Sequence, residues 1–78
     1  MPYIRQKDRP SVMADGPEGV GELVYQLTQC CLNYLPQTLR FGDYEQVIGA
    51  LECTKLELYR RRVAGYEDQK CRENGDVY

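Results

Sequence analysis

Residues 43–65, DYEQVIGALECTKLELYRRRVAG, decide the fold of this 78-residue chain. Asp43 is a good N-cap, and Glu45 puts negative charge near the positive end of a helix dipole. At 100° per residue Tyr44, Val47, Ile48, Leu51, Leu58 and Tyr59 share one arc, which Leu56 and Val63 widen. Glu57 and Arg61 stand at i,i+4 and support the same helix. Arg60, Arg61 and Arg62 suit its C-terminus, and Gly65 is a natural stop. The pattern predicts a helix over 43 to about 64.

Working outward, residues 17–35 read as a second, earlier helix. Val20, Leu23, Val24, Leu27, Cys31, Tyr34 and Leu35 recur at steps of three and four. Pro17 suits a first turn with Asp15 as a cap, and Pro36 ends the helix. Residues 36–42 make a short connector. Residues 1–16 carry Pro2, Pro10 and Gly16 without a sustained period and read as an extended arm. Residues 66–78 read as a polar segment, helical to about Arg72, with a turn at Asn74-Gly75 and with Val77 and Tyr78 folding back.

The expected fold is therefore all-α. It is one small domain over 1–78, a two-helix antiparallel hairpin with an extended N-terminal arm and a short C-terminal helix or turn. A hairpin this short leaves apolar surface uncovered, because a small domain has a thin core. Either the arms cover it or a second copy does. A homodimer is the expected remedy, giving a four-helix bundle.

Composition bounds the function. Ten basic and twelve acidic residues give a net charge of −2, so global basicity does not point to nucleic acid. The Arg60–Arg62 run would form a diffuse collar around a helix rather than a stripe, and nucleic acid remains a weak expectation. No apolar run approaches the roughly 20 residues that span a bilayer. The opening Met1-Pro-Tyr-Ile-Arg5 lacks an apolar signal-peptide core, which gives the expectation of a cytoplasmic protein with no membrane partner. There is no histidine, the commonest general base and metal ligand. No glycine-rich phosphate loop, Ser/His/Asp set or Cys/His pair stands in the chain, so catalysis is poorly supported and neither cofactor nor metal is expected. Cys30, Cys31, Cys53 and Cys71 read as buried or half-buried thiols, with disulfide or metal ligation as the alternatives.

Three charges fall on the apolar arc of the later helix. Lys55 lies between the directions of Leu51 and Tyr59, Arg62 follows it by seven residues, and Glu52 lies between Ile48 and Leu56. Charge on a packed face is costly unless paired. Snorkelling of the long stems is the plainest explanation. An ion pair of Glu52 with Lys55, or across a dimer axis, is the second. An anion site formed by Lys55, Tyr59 and Arg62 is the third.

Met1-Pro-Tyr-Ile4, Gly21-Glu-Leu-Val-Tyr-Gln-Leu-Thr28, Val47-Ile-Gly-Ala-Leu-Glu-Cys53, Lys55-Leu-Glu-Leu-Tyr-Arg-Arg61 and Tyr66-Glu-Asp-Gln-Lys70 lead to a closing Glu73-Asn-Gly-Asp-Val-Tyr78. In these blocks the chain resembles a short uncharacterised family of bacterial, archaeal and bacteriophage proteins that end in Glu-Asn-Gly-Asp-Val-Tyr. Val24 and Cys71 depart from its usual Asn and Ile. The family has no established activity, so the resemblance implies no mechanism. It does gather Glu52, Lys55, Tyr59, Glu67, Asp68 and the 73–78 ending under one pattern, which implies a shared polar site. Glu52, Glu67 and Asp68 are its network candidates. The expected function is a small non-catalytic helical interaction protein, phage-encoded and aimed at a host protein. The alternative is a phosphate or nucleotide binder with its site at a dimer interface. A magnesium-dependent nucleotide hydrolase and a nucleic-acid binder rank below both.

Overall fold

The computed structural model describes residues 2–78. The described residues are all-helical, without strands, and form three helices. The first, α1, is Arg9–Asp15, entered through a 3-10 turn at Gln6–Asp8. The second, α2, is Val20–Tyr34. The third is continuous: α3 at Phe41–Leu58, a π turn at Tyr59–Val63, and α4 at Ala64–Asn74. The chain divides into two compact units, Met1–Asp43 and Tyr44–Tyr78.

In the first unit, α1 packs against α2. Pro10 sits in the first turn of α1, where a missing N–H costs nothing and its fixed φ already suits a helix. Val12 is the one buried hydrophobic residue among those described, at 4% exposure. The Arg9 guanidinium lies 5.5 Å from the centre of the Tyr25 ring, and its Nε donates to the Ile4 carbonyl at 3.2 Å. The expected extended arm is thus partly a helix. It is under two turns long, too short to show a period in sequence, and is held by Val12 and Arg9.

The start of α2 differs from expectation for a related reason. Gly16, at φ 90° and ψ 170°, ends α1 in a conformation open only to glycine. The chain then needs residues 16–19 to turn, so α2 begins at Val20 with Gly19 as N-cap. Asp15 is the last residue of α1 rather than a cap. The Glu22 carboxylate, in the first turn, reaches back to accept the Glu18 backbone N–H at 3.3 Å and ties down the approach to the helix. The far end is as expected, with Leu35 extended ahead of Pro36.

The later helix starts two residues before Asp43. Asp43 is not the N-cap; its carboxylate reaches back to accept the Arg40 N–H at 2.9 Å. Nor does Gly65 stop the helix. Its backbone is helical, and favourable neighbours beyond it carry the helix on. Gln69 donates to Glu73 at 3.1 Å, Lys70 pairs with Glu73 at 3.3 Å, and the Lys70 ammonium lies 5.7 Å from the Tyr66 ring centre. The stop comes at Gly75, φ 92°, whose N–H donates to the Cys71 carbonyl at 2.9 Å. Val77 and Tyr78 do not fold back; both are fully exposed. The four cysteines are free; Cys31 is half-buried, as expected, and Cys30, Cys53 and Cys71 are exposed.

These backbone assignments predict opposite effects for two glycine substitutions. Gly16→Ala forces a side chain into a glycine-only region and should cost about 1–3 kcal/mol. Gly65→Ala meets open space in a helix interior and should gain about 1 kcal/mol. Urea titration followed by circular dichroism reads both, and equal signs would contradict the assignments.

Candidate functional site

All six candidate residues stand on the helix running from Phe41 to Asn74. Lys55 Nζ lies 3.0 Å from Glu52 Oε1, one turn back, and both side chains are more than half exposed. The charge that looked stranded on the apolar arc therefore has an intrachain partner and a head in water. One turn on, Glu57 holds two arginines. Its carboxylate takes Arg60 Nη2 at 2.7 Å and Arg61 Nε beside it. The two guanidinium groups, Arg61 foremost, hold the Glu57 carboxyl below the usual carboxylate range. Arg62 is left as the arginine of the run with no ion pair among the described residues.

Tyr59 and Glu67 are brought together by the π turn. The Ala64 N–H donates to the Tyr59 carbonyl, five residues back instead of four. A regular helix turns positions eight apart about 80° away from one another. The π turn absorbs one residue, so Glu67 comes within about 20° of the Tyr59 direction. The Tyr59 hydroxyl accordingly donates to Glu67 Oε1. That hydrogen bond and the carboxylate charge of Glu67 push the phenol above its ordinary value, with Asp68 adding a smaller contribution. Tyr59 is thus a neutral donor at physiological pH.

The structure therefore splits the expected anion triad. Lys55 and Tyr59 each have a carboxylate partner on their own helix, and Arg62 alone has none. The network candidates divide likewise, Glu52 to Lys55 and Glu67 to Tyr59, with Asp68 acting on Tyr59 only through its charge. Glu57 gathers two of the three arginines, of which the i,i+4 pair with Arg61 was legible from spacing. The Tyr59–Glu67 bond was not, since nothing in the residue types announces a π turn.

A shallow groove of about 580 Å³ runs along the later helix, lined by Cys53, Thr54, Glu57, Leu58, Arg61 and Arg62. A smaller one of about 200 Å³ in the first unit is lined by acidic residues, among them Asp8, Asp15, Glu18 and Glu22. Among the described residues no group of three His, Cys, Asp or Glu is placed to hold a metal ion. What the later helix does present is apolar: Tyr44, Ile48, Leu51, Leu56, Leu58, Tyr59 and Tyr66 all stand exposed, Ile48 at 65% and Leu58 at 59%.

The described residues are thus all-helical, with paired surface charges and exposed apolar side chains on the later helix. Residues 1–77 match the family described as a domain of unknown function (DUF6899), and the chain belongs to it. No curated protein and no solved structure matches the chain. No helix among the described residues is long and apolar enough to cross a membrane.

The Tyr59 contact makes a pH prediction. A group whose pKa is raised by folding adds stability below its ordinary value, near 10, and loses it as pH climbs through the raised value. Ultraviolet titration of tyrosinate should show a late-ionising component that belongs to Tyr59. Glu67→Gln should remove the lag, and an unchanged curve would show that the contact does not persist in solution.

Proposed function

We propose that this is a small non-catalytic interaction protein that acts through the exposed face of its later helix. The observation that carries this is the row of apolar side chains standing in solvent on that helix. Large exposed apolar patches mark interaction surfaces, because a monomer gains nothing by wetting them. In this proposal the chain is a single helical domain in the cytoplasm. A second copy covers the exposed apolar face of the later helix. The remaining surface then addresses a partner protein, a host protein where the chain is phage-encoded. The absence of histidine from the sequence fits binding better than acid–base chemistry.

The alternative is a phosphate- or nucleotide-binding protein with its site at the dimer interface. One observation favours it: Arg62 keeps a guanidinium without an acidic partner, on the same helix as Lys55 and Tyr59. It needs Lys55 and Tyr59 to exchange their present carboxylate partners for the ligand, which weighs against it.

Native mass spectrometry should give twice the 9.1 kDa chain mass at micromolar concentration. Melting curves should not move on adding nucleoside phosphates. A monomer throughout would contradict the interaction proposal. A nucleotide shift abolished by Arg62→Ala would favour the alternative.

A further inference from the structure

We infer that the second copy docks antiparallel along residues 44–63, about a two-fold axis at the Cys53–Thr54 peptide. This rests on the dimer proposed above and specifies its orientation and register. Reversing the helix about that point sets apolar residues level with apolar residues: Tyr44 with Val63, Ile48 with Tyr59, and Leu51 with Leu56. It sets Glu52 level with Lys55. The seven of these positions from Tyr44 to Tyr59 fall within an arc of about 140°, so one face carries them, and Val63 follows inside the π turn. Seven of the eight are exposed, and Val63 is half-buried.

Charge selects the direction. Residues 44–53 carry Glu45 and Glu52 and no basic residue, a net charge of −2. Residues 54–63 carry Lys55, Arg60, Arg61 and Arg62 against Glu57 alone, a net charge of +3. Antiparallel docking lays the acidic half of each helix on the basic half of the other. Parallel docking lays like on like, which is unfavourable. At the axis the Glu52–Lys55 pair of one copy, 3.0 Å within its own helix, meets the same pair reversed on the other. The result is an alternating cluster of four charges. The interface is isologous, as two-fold dimers require, and closes without leaving a sticky end.

Cys53 and Cys71, both exposed on this helix, supply the test. A spin label is placed on one of them in the full chain, with the other three cysteines changed to serine, and distances between copies are read by pulsed dipolar spectroscopy. The two Cys53 lie at nearly the same level beside the axis, so their labels should fall within about 30 Å across the helix pair. The two Cys71 lie toward opposite ends and should be separated by about 50 Å along the axis. Short distances at both sites would mean parallel docking and overturn the orientation while leaving the dimer standing. A long distance at Cys53 would overturn the register. A monomeric mass with no dipolar signal would overturn the dimer itself. Where serine replacement prevents folding, charge reversal in the wild-type cysteine background decides. Glu52→Lys and Lys55→Glu should each weaken self-association on the order of tenfold, and mixing the two variants should restore it as a heterodimer. Failure to restore would overturn the contact at the axis.

Discussion

The constraint on which the rest depends is that a helix about 50 Å long, Phe41 to Asn74, carries its apolar side chains in water. Isolated helices gain little from hydrogen bonds alone, and most helical stability in proteins comes from packing an apolar face. Covering one Leu or Ile is worth about 1.5–3 kcal/mol. An exposed ion pair such as Lys70 with Glu73 is worth less than about 1 kcal/mol. The charges therefore tune this helix, and whatever covers Ile48, Leu51, Leu56 and their neighbours stabilises it.

The π turn at Tyr59–Val63 changes how that face continues. By inserting one residue it rotates everything beyond it by about 100° relative to an unbroken helix. Glu67 comes under Tyr59 for this reason. Arg62, which seven-residue spacing placed in the direction of Lys55, lies inside the turn, where that spacing no longer governs. Of the candidate residues, Glu52 pairs with Lys55 and Tyr59 bonds Glu67, each along the helix axis.

The helical class was legible because the Tyr44–Leu58 arc and the Val20–Leu35 stripe are long enough to show their period. The Lys55–Glu52 pair was legible too, as one of three explanations for a misplaced lysine. What escaped was set by short-range geometry or by context. Arg9–Asp15 is too short to show a period, and its stability comes from Val12 and from the Arg9–Tyr25 contact, which lies far off in sequence. Gly65 resembles a stop, yet glycine only permits a helix to end; Gly75, with its positive φ, is where one does. The π turn has no signature in residue type. Cys30, Cys53 and Cys71 looked at least half-buried because thiols usually are, and they stand exposed instead.

The central claim is that the helix after Phe41 depends on a surface supplied from outside its own chain. Hydrogen exchange at amides 48–58, followed over a dilution series from hundreds of micromolar to nanomolar, tests this most directly. Protection should fall as the chain is diluted, because opening is then coupled to dissociation. Protection that stays constant across the whole series would mean that the helix is stable alone, and the account would be wrong.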